Sequence, residues 1–170
     1  MKLNRDALII MKKALVYFVI IFIASVLQSS FLAVVSPFGA VPDLVLLLTL
    51  GAGYFCGPMA GLVFGIAAGA ISYAVGGAGL ALAPLFYGAI GGLAGFLVEN
   101  FFKGKFAVWC IYLVFAATFK SSFSTAYVLF FSNDVQLFTA IWRTAFPEFV
   151  GTVILGAALY VPIRKVCAYL

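Results

Sequence analysis

The chain has no histidine and very little charge. Of its 170 residues only 9% are Asp, Glu, Lys or Arg, against about 25% in a soluble domain. Without histidine, imidazole acid–base catalysis and His-ligated metals are excluded. Cysteine is scarce. Cys56, Cys110 and Cys167 are odd in number and show no metal-binding spacing, which predicts reduced thiols packed as small apolar residues. Carboxylates are scattered, no phosphate-binding loop appears, and no polar stretch is long enough to hold a catalytic domain. The expectation is therefore a protein that is not an enzyme, with no catalytic residue, no cofactor and no metal site.

What fills the chain is apolar. Hydrophobic residues make up 66%, and Phe alone accounts for 19 positions. A soluble fold so composed would expose large apolar patches, whereas lipid as solvent removes that penalty. No charged residue falls between Lys13 and Asp43, nor between Asp43 and Glu99. A span needs about 20 apolar residues to cross roughly 30 Å of hydrocarbon. The first gap accommodates one span and the second three, broken at Gly57-Pro58 and at the glycines of 76–79. The full reading is an all-α, polytopic transmembrane bundle of about six spans in a single integral membrane domain, residues 1–170. The spans run roughly 14–35, 41–57, 58–76, 79–98, 106–131 and 145–163. The run from Ala14 to Val35 exceeds the roughly 7–15 residues of a signal-peptide core and reads as a retained span.

The net charge of +5 does not point to nucleic acid, because the basic residues mark topology. Lys2, Arg5, Lys12 and Lys13 precede the first span, Lys103 and Lys105 share one loop, and Arg164 and Lys165 follow the last. Six spans with both termini cytoplasmic place all eight inside, with Asp43 and Asp134 outside. Residues 133–146, including Trp142 and Arg143, suit a short helix at the membrane interface.

Several positions stand out. Pro42-Asp43 opens the second span, where proline suits the first helical turn and a carboxylate suits the positive end of the helix dipole. Gly57-Pro58 predicts a tight turn between spans 2 and 3. Gly57, Gly61, Gly65 and Gly69 recur every fourth residue along span 3, and Gly88, Gly91, Gly92 and Gly95 repeat the device in span 4. Small residues at this spacing let helix backbones approach closely in lipid, either within the fold or against a partner helix. Lys120 lies fourteen residues past Phe106, inside an apolar run. A lysine at mid-membrane costs about 2.5–3.5 kcal/mol on the insertion scale, so it should face inward and meet a carboxylate. Glu148 and Asp43 are the candidates, Glu148 the favoured one. Ser124 is one turn from Lys120, but hydroxyls in membrane helices mostly bond backbone carbonyls. Glu99 and Lys103 are spaced as an ordinary i,i+4 pair.

The order of these features resembles the rod shape-determining protein MreD family. The matching pieces are Gln28-Ser29-Ser30-Phe31-Leu32 at the end of the first span, Pro42-Asp43-Leu44, the Gly57-Pro58 turn with the Gly61/Gly65/Gly69 ladder, Pro147, and the basic Arg164-Lys165 tail. The pattern departs at Tyr73, where the family often has Asp. The resemblance covers roughly residues 24–165. It implies a non-enzymatic subunit of the bacterial inner (cytoplasmic) membrane. Such a subunit would bind an MreC-like bitopic protein and connect indirectly to an MreB-like actin filament and to the RodA/transpeptidase wall synthase, organising lateral-wall peptidoglycan synthesis and cell shape. The same span count and glycine content look like the substrate-binding subunits of energy-coupling-factor vitamin transporters. That is the alternative function, with Lys120, Glu148 and Asp43 available to line a pocket.

Overall fold

An apolar chain in lipid has to satisfy its own backbone hydrogen bonds, and a helix does so within one segment. The computed structural model describes residues 2–32, 41–76, 82–100, 105–131 and 145–169. Among the described residues 94% are helical, in seven α-helices, with no strand. They are α1 (Lys2–Val26, continued by a π-helical turn Leu27–Leu32), α2 (Leu44–Cys56), α3 (Pro58–Gly76), α4 (Ala83–Asn100), α5 (Phe106–Phe131), α6 (Phe146–Ala158) and α7 (Tyr160–Tyr169). The expected interfacial helix near 133–146 lies almost wholly outside the described residues, as do Lys103 and the break at 77–79.

Two helices, Pro58–Val75 and Phe106–Ala126, are long and apolar enough to cross a membrane. The pair α6 and α7, bent by 59° at Leu159, makes a third if taken as one span. The apolar helices mark a membrane protein. Six crossings are not established by length, because α2 has only 13 residues and spans about 20 Å at 1.5 Å per residue.

The short α2 is the axis of the fold. It touches every other helix and is buried along almost its whole length, from Val45 to Tyr54. A helix that is apolar all round belongs inside. Around it stand Tyr17, Ile21, Trp109 and Leu113, each fully buried. Two core polar groups find backbone partners: Tyr17 Oη donates to the Leu48 carbonyl at 2.6 Å, and Trp109 Nε1 donates to the Gly156 carbonyl at 3.1 Å. Large apolar side chains point outward instead from α1 (Leu15, Phe18, Phe22), α3 (Val63) and α5 (Ile111, Phe115), the arrangement expected where lipid is the solvent.

Gly57 makes the α2–α3 turn. Its φ of +97° lies where a side chain is strained. Its amide donates to the Gly53 carbonyl at 3.2 Å, and its own carbonyl accepts from the Gly61 amide at 3.0 Å. The chain thus leaves one helix and enters the next without a loop.

Candidate functional site

The sequence-predicted polar residues converge at the N-terminal end of α2. A helix start leaves amide groups without partners. Asp43 is the N-cap, in extended conformation, and its Oδ1 accepts from the Leu46 amide at 2.9 Å. Gln28, on the π-helical turn after α1, accepts from the Val45 amide through Oε1 at 3.2 Å. Two side chains from separate stretches of chain therefore cap one helix. The Asp43 amide donates to Thr152 Oγ1 of α6 at 3.0 Å.

The second carboxylate oxygen of Asp43 holds the rest of the cluster. Oδ2 accepts from Tyr87 Oη of α4 at 2.6 Å and pairs with Lys120 Nζ of α5 at 2.6 Å. Lys120 also donates to Glu148 Oε1 in the first turn of α6. Both carboxylates thus sit at helix N-termini, where the dipole favours negative charge. Asp43 is fully buried, while Lys120 and Glu148 each retain about a fifth of their side-chain exposure (21% and 22%). The sequence offers Lys120 two candidate carboxylates, Glu148 and Asp43, and favours Glu148. The structure supplies two carboxylates, because Asp43 at the head of α2 reaches across to α5.

Pro42 requires a correction. It does not occupy the first helical turn but precedes the N-cap. Its ring lies against α6, where a Cβ added at Gly151 would meet Pro42 Cγ at 3.1 Å. Helix α6 is the one that carries proline in its first turn, at Pro147. Of the Gln28-Ser29-Ser30 stretch only Gln28 joins the cluster. Ser29 is exposed and donates back to the Val26 carbonyl at 3.2 Å, and Ser30 is exposed.

The glycine ladders pack against each other inside the fold. A Cβ at Gly61 would strike the Gly91 carbonyl, one at Gly65 would lie 2.8 Å from Gly88 Cα, one at Gly69 would lie 2.5 Å from Pro84 Cα, and one at Gly95 would lie 2.5 Å from Pro58 Cα. The neighbour in each case is backbone, so α3 and α4 run antiparallel in direct main-chain contact. Gly53 of α2 meets Gly91 in the same seam. Gly88 and Gly92 differ, because their nearest neighbours are the side chains of Ile66 and Leu62, the latter at an ordinary 3.4 Å. Gly57 turns toward Glu99, whose Oε1 would lie 3.0 Å from an added Cβ. Tyr73 is 46% exposed on α3.

This arrangement ties the head of α2 to α4, α5 and α6. The Lys120 ammonium sits between the carboxylates where a cation would otherwise bind. No hydrogen bond joins Lys120 to Ser124; nearby, Ser121 and Thr125 bond to the carbonyls of Ala145 and Ser121. Among the described residues no three His, Cys, Asp or Glu gather to hold a metal. A groove of about 230 Å³ between α5 and α6 is lined by Thr118, Ser121, Ser122 and Phe149 among others, and two others beside the core are apolar. One, of about 280 Å³, lies between α4 and α5 over Leu50, with Leu93, Phe115 and Phe119 in its walls. The other, of about 260 Å³, lies among α1, α2 and the α6–α7 pair.

Tyr87, Thr152, Trp109 and Gly53 were not singled out in the sequence. The signal for the first two was present: each is a lone hydroxyl inside an apolar run, and a buried hydroxyl needs a partner.

Comparison of the chain with protein-family models, curated proteins and solved structures finds no match.

Proposed function

We propose that this protein is a non-enzymatic subunit of the bacterial inner membrane that binds another membrane protein through its helices, in the manner of the MreD family. The observation that carries the reading is the joint capping of α2 by Gln28 and Asp43. These are the most specific motif pieces of the resemblance, and they act as one unit. A second point supports a scaffold over a transport subunit. A substrate pocket needs polar groups converging on open space. Here Asp43, Lys120, Glu148 and Tyr87 are turned on one another, and the grooves over Leu50 and beside Leu44 are lined by apolar side chains, while the hydroxyls of Thr118, Ser121 and Ser122 line a more open groove of about 230 Å³ between α5 and α6.

In this reading the membrane is crossed six times and both termini are cytoplasmic. The partner is an MreC-like bitopic protein, with an MreB-like filament and the RodA/transpeptidase synthase reached indirectly. With the glycine ladders consumed by α3–α4 packing, partners meet the outward apolar faces of the bundle. The test is depletion in a rod-shaped bacterium together with affinity purification of a tagged copy. Rounded cells and retention of the MreC-like protein are expected. Cells that stay rod-shaped but lose uptake of a vitamin, with that vitamin carried by the purified protein, would establish the energy-coupling-factor alternative instead.

A further inference from the structure

Cys56 closes α2 and Cys167 lies near the end of α7, far apart in sequence, yet the fold brings the two residues together. Cys56 Sγ lies 3.9 Å from the Cys167 carbonyl oxygen. Cys167 is buried, 7% exposed, and its Sγ donates to the Gly51 carbonyl at 3.6 Å. Cys56 is only partly buried and stands at the Gly57 turn. The third cysteine, Cys110, lies on α5 and is partly buried. The pair sits at the end of α2 opposite the Asp43 cluster, flanked by the exposed basic residues Arg164 and Lys165 of α7.

We propose that Cys56 and Cys167 form a reversible intramolecular disulfide by exchange with a low-molecular-weight disulfide. The more exposed Cys56 reacts first. Its thiolate attacks one sulfur of the reagent, the reagent's S–S bond breaks, and one thiolate leaves and is protonated. The Cys167 thiolate then attacks Cys56 Sγ in the mixed disulfide and expels the second thiolate. The protein gives up two protons and two electrons, and the reagent becomes two thiols. The product ties α7 to the α2–α3 turn and closes a loop containing most of the fold. Crosslinks that close long loops restrict the unfolded chain most.

The experiment uses the full-length protein in detergent, treated with oxidised glutathione, then labelled with a maleimide polymer and read by gel shift and peptide mass. In Cys110→Ala, labelling should fall from two thiols to none, return with dithiothreitol, and yield a linked Cys56–Cys167 peptide. The melting temperature should rise on oxidation and fall back on reduction. In Cys167→Ser the reaction should stop at a glutathione adduct on Cys56. Two thiols that stay reactive in Cys110→Ala, a bond that joins only separate copies, or wild-type protein that pairs through Cys110 would each overturn the proposal. The wild-type and Cys110→Ala measurements decide the matter even if the serine variant fails to fold.

Discussion

Lys120 Nζ lies 2.6 Å from Asp43 Oδ2, and the carboxylate it meets is fully buried. The same ammonium bridges to Glu148. Removing one member of such a group leaves a buried charge without compensation. Lys120→Met should therefore destabilise the protein by roughly 3–5 kcal/mol, since Asp43 and Glu148 would then face each other. The double variant Lys120→Met/Asp43→Asn should recover part of that loss. Thermal unfolding in detergent checks both. A Lys120→Met protein with wild-type stability would mean that the ammonium merely reaches water.

Tyr87 donates to the same carboxylate oxygen. Tyr87→Phe keeps the ring and removes only the hydroxyl, and hydrogen bonds to charged groups contribute roughly 1.5–3 kcal/mol. A loss in that range is expected in the unfolding midpoint, with no change in helix content by circular dichroism.

The two kinds of glycine contact separate cleanly. At Gly65 an added methyl meets the Gly88 backbone, which cannot step aside, whereas at Gly92 it meets only the Leu62 side chain at van der Waals distance. Overpacking costs roughly 1–3 kcal/mol, and replacing glycine by alanine in a helix returns about 1 kcal/mol. Gly65→Ala should lower the yield of monodisperse protein, and Gly65→Leu should abolish it. Gly92→Ala should be neutral or slightly stabilising. Equal behaviour of Gly65→Ala and Gly92→Ala in size-exclusion chromatography would show that the α3–α4 seam is not in main-chain contact.

Ser25 Oγ is a buried polar atom with no hydrogen-bond partner among the described residues. Burying such a group costs about 1–3 kcal/mol. Ser25→Ala is expected to hold or raise the melting temperature. A drop of several degrees would mean that the hydroxyl has a partner in the membrane.

Orientation is tested by fusion. Under the proposed topology, alkaline phosphatase joined after Leu170 should be inactive, and joined near Asp134 it should be active. The reverse pattern would invert the protein in the membrane and place the Cys56–Cys167 pair on the oxidising side.

Composition and charge spacing were enough to determine that the chain is helical and belongs in a membrane, because an apolar run without charges cannot be solvated by water or left as open strand edges. They also determined that Lys120 needed a carboxylate, since its isolation in an apolar run carries its own desolvation penalty. Which carboxylate was a matter of tertiary structure. Asp43 reaches Lys120 only because α2 starts beside the middle of α5, and no local spacing encodes that meeting. The glycine spacing favoured internal packing but left partner binding open, because a small-residue face looks the same whatever covers it; the antiparallel approach of α4 decided it. Cys56 and Cys167 read as unrelated thiols for the same reason. Their proximity depends on the bend at Leu159 and the turn at Gly57, and contacts between distant chain segments are set by packing rather than by any pattern within either segment.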